Sequence, residues 1–372
     1  MHTNLQSHLP VRVIFGHGTI IRLGAVAVDE GATRVLLVTD PGIVRAGHAE
    51  RAAASLREAG CEVTIFHGVQ ENPTTEHVAA GVSVARDLGI NFIVGVGGGS
   101  AMDCAKGINF ILTNGGRMQD YWGVGKAAKP MLPFVAVPTT AGTGSEAQSF
   151  ALITDPATHQ KMACGDRKTL ARAAILDPDL IRTVPRQVAA ATGIDAISHA
   201  VETAGTNKRT DESRELSRAA WLRLEGSLEK YLADPKDSAA RESMLMGAHL
   251  AGAAIEASML GAAHSCANPL TAKYGIVHGV AVGVVLPHVV RFNAACGDNP
   301  YAELDEDADR LAMRIERLLM AAGIPRRLGE LGVRREDLPE LAASASGQWT
   351  AQFNPRKAGP EEFEQVFNDA FG

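Results

Sequence analysis

The first 140 residues alternate between two kinds of segment, and this alternation limits the fold more than any other feature. Short apolar or β-branched runs, RVLLVTD (34–40), CEVTIFHGV (61–69), NFIVGVGGG (91–99) and PFVAVPTT (133–140), are strand candidates. Between them lie Ala-rich amphipathic runs, AERAAASLREAG (49–60), TEHVAAGVSVARDLG (75–89) and the stretch from Ser100 to about Leu112, which read as helices. Strands alternating with helices imply a parallel sheet covered on both faces. The pattern changes near DPDLIRTVP (177–185). Beyond Pro185, helical patterns dominate, at 211–232, 236–256, 278–293 and 305–323, and EEFEQVFNDAFG closes the chain as a last helix. A length of 372 residues suits two domains of ordinary size. The expected architecture is an α/β domain over 1–185 and an all-α domain over 186–372, in direct contact.

Charge and cysteine usage narrow the function classes. The formal net charge is −6 and no basic block occurs, which argues against nucleic-acid binding by phosphate neutralisation. Apolar content of 46% with 21% charged residues fits a soluble globular protein. The five cysteines, Cys61, Cys104, Cys164, Cys266 and Cys296, are odd in number and form no CxxC pair. That speaks against a disulfide framework and for a reducing compartment. The N-terminal MHTNLQSHLPVR lacks the apolar stretch of a secretory signal. The longest apolar stretch, GIVHGVAVGVVLPHVV (275–290), is broken by histidines, glycines and a proline, and falls short of a membrane span. The expectation is a soluble, cytoplasmic protein with no membrane partner.

Two loops carry ligand-binding chemistry. GVGGGSAMDCAKG (95–107) follows a strand and opens a helix. Gly97, Gly98 and Gly99 let the backbone approach a bound group, and free N–H groups at a helix start attract anions. Ser100 with Asp103 three residues later fits an N-terminal cap. The loop departs from a full dinucleotide fingerprint, because Ser100 stands where the last glycine belongs and the third strand precedes it. PTTAGTGSEA (138–147) also follows a buried strand and offers Thr139, Thr140, Thr143 and Ser145. Each loop alone could be a tight turn or a capped helix start. Two at the carboxyl ends of parallel strands make the usual ligand crevice of an open sheet and favour a phosphate-bearing ligand. Asp40 ends the first strand, where a carboxylate can accept from a ribose hydroxyl, although Asp-Pro-Gly is a turn signal by itself.

A third constellation lies past the boundary. In GIDAISHAVE (193–202), Asp195 and His199 stand four apart, so a helix points them the same way. His264 and His278 lie in Gly/Ala-rich, largely uncharged surroundings. A carboxylate in such a setting is costly unless paired or metal-bound. Three imidazoles and one carboxylate suit Zn²⁺, Fe²⁺ or a similar ion. The spacing alone also allows an Asp195–His199 pair and two satisfied core histidines. His288 is a further candidate, whereas His249 reads as solvent-facing or structural and His17, His67 and His77 as loop or surface residues.

Taken together, GGGSAMDCAKG, PTTAGTGSEA, the strand-to-helix stretch ITDPATHQKM, DPDLIRTVP, ATGIDAISHAVE, HGVAVGVVLPHVVRFN and the late NPR (354–356) resemble the iron-containing, group III alcohol dehydrogenases. The resemblance runs in order from about residue 10 to the C-terminus. It implies an N-terminal dinucleotide-binding α/β domain and a C-terminal helical domain, an architecture shared with dehydroquinate synthase, with nicotinamide and metal in the cleft between. It implies Asp195, His199, His264 and His278 as metal ligands. It implies Gly97, Gly98, Gly99 and Ser100 as a pyrophosphate loop with Asp103 close by, and Thr139, Thr140 and Thr143 as a second cofactor loop. Lys161 looks like the family's lysine near the cofactor ribose, and Asp40 matches the position tied to NAD rather than NADP. Relatives are commonly homodimers or larger.

The implied activity is NAD(H)- and metal-dependent interconversion of a small alcohol and its aldehyde or ketone, with Fe²⁺ or Zn²⁺ as Lewis acid. Many relatives carry a second histidine four residues after the first, where it assists proton transfer. This sequence has Asn268 there, and an amide cannot titrate as imidazole does. Phe150 would make the substrate pocket more apolar than in some diol-specific relatives. A dehydroquinate synthase-like lyase needs several basic residues around a phosphorylated substrate, and only Lys273 and Arg291 lie near the two late histidines. Maleylacetate-type reductases and glycerol-type dehydrogenases depart from the four-ligand set. A non-catalytic nucleotide-binding module is the reading from outside enzymology.

Overall fold

A computed structural model of the chain describes residues 8–372 apart from His159 and Cys296. The first seven residues of the N-terminal stretch, His159 within ITDPATHQKM and the fifth cysteine, Cys296, lie outside the described residues. The chain divides into two compact units. One comprises Leu9–Thr140 and Gly144–Val184. The other comprises Pro185–Gly372 together with His8 and Ala141–Thr143.

Among the described residues the first unit holds nine strands: β1 (Arg12–Phe15), β2 (Arg34–Val38), β3 (Glu62–Phe66), β4 (Phe92–Gly97), β5 (Gly123–Val124), β6 (Phe134–Pro138), β7 (Phe150–Thr154), β8 (Lys161–Gly165) and β9 (Ala173–Leu176). Its helices are α1 (Leu23–Asp29), α2 (Pro41–Arg45), α3 (His48–Glu58), α4 (Thr75–Ala85) and α5 (Gly99–Asn114). Six strands form one sheet in the order β1-β9-β6-β4-β2-β3, and every pairing is parallel. Alternate residues Val35, Leu37, Phe92, Val94, Val96, Val135 and Val137 pack with Leu23, Val26, Ala52 and Leu56 in one core. The residues between them, Leu36, Val38, Ile93 and Ala136, are equally buried, so both faces are covered. Each fully buried Val or Leu contributes roughly 1.5–3 kcal/mol.

A second, three-stranded sheet runs β5-β8-β7. It corrects the expectation for ITDPATHQKM, which is a strand–turn–strand hairpin rather than a strand leading into a helix. β7 and β8 pair antiparallel from Phe150–Gly165 to Thr154–Lys161. Asp155 makes the turn by accepting from the Ala157 amide at 2.9 Å, a side-chain bond that competes with helix.

The second unit is all helical: α6 (Arg186–Gly205), α7 (Asp211–Glu225), α8 (Leu228–Ala233), α9 (Ser238–Ser258), α10 (Ala262–Tyr274), α11 (His278–Ala294), α12 (Ala308–Ala322), α13 (Leu338–Ser346) and α14 (Pro360–Phe371), with short 3-10 turns between some of them. Helix α6 is buried on nearly all sides from Ala189 to Gly205. Its small side chains let neighbours come close. The tightest approach is from α11, where a Cβ on Gly279 would stand 2.0 Å from the Ala191 carbonyl oxygen. Only glycine fits there, and its neighbour His278 is thereby brought beside α6. No single helix among the described residues is long and apolar enough to cross a membrane.

Cys61, Cys104, Cys164 and Cys266 are all buried free thiols. Burial pushes the Cys104 and Cys164 thiols up to about 12.

Candidate functional site

The helical unit gathers the first cluster. Asp195 and His199 lie one turn apart on α6, His264 in the first turn of α10, and His278 at the start of α11. Their Nε2 atoms stand 3.5, 3.8 and 3.9 Å from Asp195 Oδ1 for His199, His264 and His278 in turn. One donor atom from each of Asp195, His199 and His264 lies within 4.8 Å of the others. The His199 and His264 rings stack at 4.9 Å, and His264 and His278 are 5.3 Å apart.

The distances exceed hydrogen-bond length. Asp195 Oδ1 and His264 Nε2 are buried with no hydrogen-bond partner. Orphaned polar atoms of this kind cost about 1–3 kcal/mol each, so a simple Asp195–His199 pair does not account for the arrangement. A tetrahedral ion with bonds of about 2.0–2.1 Å holds its ligands about 3.3–3.4 Å apart. The donor set and its spacing fit a divalent ion such as Fe²⁺ or Zn²⁺. Burial pushes the Asp195 carboxyl up, but His199, His278 and His264 outweigh it and hold it well below the usual range. Burial lowers His199 despite Asp195. At His264 burial also acts downward, yet Glu202 and Asp195 raise it to about 9.

His249 and His288 are not part of this group. His249 is fully buried on α9, not solvent-facing. His288 is half-buried on α11, and burial lowers its pKa. Asn268 lies one turn beyond His264 and donates to Gln348 Oε1 at 3.0 Å.

Three neighbouring strands of the large sheet, β6-β4-β2, run into the residues that the sequence marks as a candidate cofactor site. Gly97 closes β4 with φ +155°, and a Cβ there would stand 2.6 Å from Ala101 Cβ and 3.4 Å from Asp40 Oδ2. Thr139, just past β6, donates its amide to the Gly97 carbonyl at 2.9 Å, and its buried hydroxyl has no partner. A Cβ on Gly98 would meet Thr140 Oγ1 at 3.3 Å. The expected Ser100–Asp103 cap does not form. Helix α5 begins at Gly99, so Ser100 already lies in its first turn, and the Gly98 position supplies no side-chain cap. The start of α5 thus has no side-chain cap at its N-cap position, which suits a phosphate. Gly97, Gly98, Gly99, Ser100, Thr139 and Thr140 form a cradle that fits a pyrophosphate. Thr143 belongs to the other unit, where Gly142 beside it packs on Thr192 in the second turn of α6.

Asp40 caps α2 with Oδ1, which accepts from Gly42 at 2.7 Å and Ile43 at 3.0 Å. Its Oδ2 is the atom near Gly97, so the oxygen that makes the turn is not the one that faces the glycine loop. Asp103 is buried, accepts from Ser145 at 2.7 Å, and is pushed up by burial against the pull of Lys106, Ser145 and Lys161. Lys161, exposed at the start of β8, donates to Asn72 at 3.3 Å. The Phe150 ring covers Gly165 on the facing strand.

Three further residues shape these sites without having been singled out from sequence. Buried Lys106 donates to the Ser145 carbonyl and hydroxyl and to the Gln148 and Phe150 carbonyls at 2.7–2.9 Å, tying the second loop to α5. Asn354 of the NPR motif accepts from the Ala262 amide at 3.2 Å and bonds Asn293, joining the start of α10 to α11. Glu202 contacts the Ala263 amide and His264. Its sequence signal was present, since i+7 from Asp195 returns to the same helix face.

The model for "Iron-containing alcohol dehydrogenase" matches residues 10–178, and that for "Fe-containing alcohol dehydrogenase family, C-terminal" matches 189–371. The chain is 35% identical to the NAD-dependent methanol dehydrogenase of Bacillus methanolicus, over 97% of this chain and 98% of that protein. It is 36% identical to the 1,3-propanediol dehydrogenase of Klebsiella pneumoniae, over 96% of each. Its fold matches the crystal structure of a 1,3-propanediol oxidoreductase with a TM-score of 0.93 at 35% identity, covering 98% of both chains. Motifs, fold and relatives agree, and the chain belongs to the iron-containing alcohol dehydrogenase family.

Proposed function

We propose that this chain is an NAD(H)- and divalent-metal-dependent oxidoreductase that interconverts a small alcohol with its aldehyde or ketone by hydride transfer. The observation that carries the reading is the buried donor set of Asp195, His199 and His264, with Asp195 Oδ1 and His264 Nε2 orphaned and the half-buried His278 3.9 Å from the same Asp195 oxygen. When bound, a divalent ion supplies Lewis acidity toward the alcohol oxygen and NAD supplies the hydride acceptor. Asp195 would offset the ion's charge while the three histidines present neutral nitrogens. The cradle at Gly97–Ser100 with Thr139 and Thr140 would hold the pyrophosphate, and Asp103 and Lys161 would border it. Asp40 Oδ2 would accept from a ribose hydroxyl and repel a 2′-phosphate, which favours NAD over NADP. Asn268, held by Gln348, can orient a hydroxyl but keeps no titrating proton. Phe150 would add an apolar wall to the substrate pocket.

The same reading takes iron as the native metal, with zinc as the competing ion, and a cytoplasmic homodimer or larger homo-oligomer. The lyase alternative is disfavoured by a specific observation. Lys273 is engaged by Glu340 and Asp337, and Arg291 by Asp309 and Glu316, so neither is left for a phosphorylated substrate. The test is metal analysis of anaerobically purified protein followed by NADH consumption against a panel of short aldehydes. Stoichiometric iron or zinc with turnover of at least one aldehyde is the expected result. Metal-free protein that gains no activity from added Fe²⁺ or Zn²⁺ would overturn the reading.

A further inference from the structure

We propose that Glu202 is a positioning residue that fixes the tautomer and ring angle of His264, so that Nε2 and not Nδ1 faces Asp195. The inference rests on the metal-centre reading above. Glu202 lies on α6 two turns after Asp195 and is 3% exposed. Both carboxylate oxygens are used. Oε1 accepts from the Ala263 amide at 2.7 Å, and Oε2 lies 2.5 Å from His264 Nδ1. No lysine or arginine forms an ion pair with Glu202 among the described residues, and its charged contact is with His264 alone. In the neutral ring a carboxylate acceptor at Nδ1 makes that nitrogen the protonated one, which leaves the Nε2 lone pair free. That Nε2 is the orphaned atom, 3.8 Å from Asp195 Oδ1. The same carboxylate thus caps the first turn of α10 and aims the side chain that the turn carries, the arrangement by which outer-shell carboxylates orient ligating histidines.

A purely structural role would be capping of α10. Glu202→Gln separates the two. The amide oxygen can still accept from Ala263, but the NH₂ group then faces Nδ1 and favours the opposite tautomer. The experiment measures Co²⁺ and Zn²⁺ affinity by chelator competition on metal-free wild type and variant, with the melting temperature of the metal-free forms. We expect the variant to bind metal about 10–100-fold more weakly with an unshifted metal-free melting temperature. Equal affinity in the two proteins overturns the positioning role and leaves the metal centre standing. A wild type that takes up neither ion overturns the metal centre itself, and this inference with it. If the variant does not fold, ¹⁵N-histidine NMR of Zn²⁺-loaded wild type decides. A proton on Nδ1 of His264 is expected, and coordination through Nδ1 would overturn the proposal.

Discussion

Asp195 is a buried carboxylate whose ionisable neighbours are three imidazoles, and each imidazole comes from a different place in the chain or a different turn of helix. Truncating any one leaves the rest without a complete donor set. His264→Ala is expected to abolish stoichiometric metal and reduce kcat at least a hundredfold while far-UV circular dichroism stays native. Retained activity in metal-free His264→Ala protein would exclude a metal-assisted reaction. Asp40 caps α2 with Oδ1, and the proposed ribose contact falls to Oδ2, so its replacement has two expected signatures. Asp40→Gly is expected to raise the NADP-to-NAD ratio of kcat/KM and to destabilise α2 by about 1 kcal/mol or less through the lost cap. An unchanged cofactor ratio would remove the ribose role and leave only the cap.

At the scale of elements, packing decides whether these side chains meet. Helix α11 reaches α6 only because Gly279 has no side chain, and His278 precedes it directly. Gly279→Ala is expected to lower stability by about 1–3 kcal/mol and to weaken metal binding, since the helix must move off α6. The loop before α12 supplies a pH probe. Asp305 is bound by Arg310 and Arg314, and its carboxyl is held down to about 2, first by Arg310 and with burial opposing. A depressed carboxyl stabilises the fold above its unfolded pKa and loses that contribution as pH falls through the folded value. Asp305→Asn is therefore expected to lose on the order of 1 kcal/mol near neutrality, discounted for the exposed Arg310. The gap from wild type should narrow as the pH falls from about 4 toward 2, read by urea unfolding across that range.

Across the whole molecule, the parts legible in sequence were those with a repeating or local signal. Strands β2, β3, β4 and β6 showed as apolar runs, and the two loops at β4 and β6 showed through their glycines and hydroxyls. Strands β1 (RVIF) and β9 (AAIL) are four residues each, too short to carry a period, and their pairing with each other and with β6 is long-range. The β7–β8 hairpin was hidden because its turn residues also start helices. Lys106 carries no role that its spacing alone reveals, and only the fold wraps four oxygens around it. Glu202 was on the visible face of α6, but its partner is 62 residues away. Ligand linkage offers a global check. Metal at a hundredfold over its Kd is expected to stabilise the helical unit by about 2.7 kcal/mol, seen as a shift of its unfolding transition on adding EDTA.

The four buried thiols give this protein a set of internal clocks. Cys61, Cys104 and Cys164 sit in the α/β unit and Cys266 in the helical unit, each closed off from reagent in the native state. A thiol of this kind reacts only when its surroundings open, so labelling rates convert directly into opening frequencies. In a Cys296→Ser background, a disulfide reagent would time the opening of each unit separately. Cys266 lies two residues past His264 on α10, so a bound metal should slow its reaction while leaving the other three unchanged.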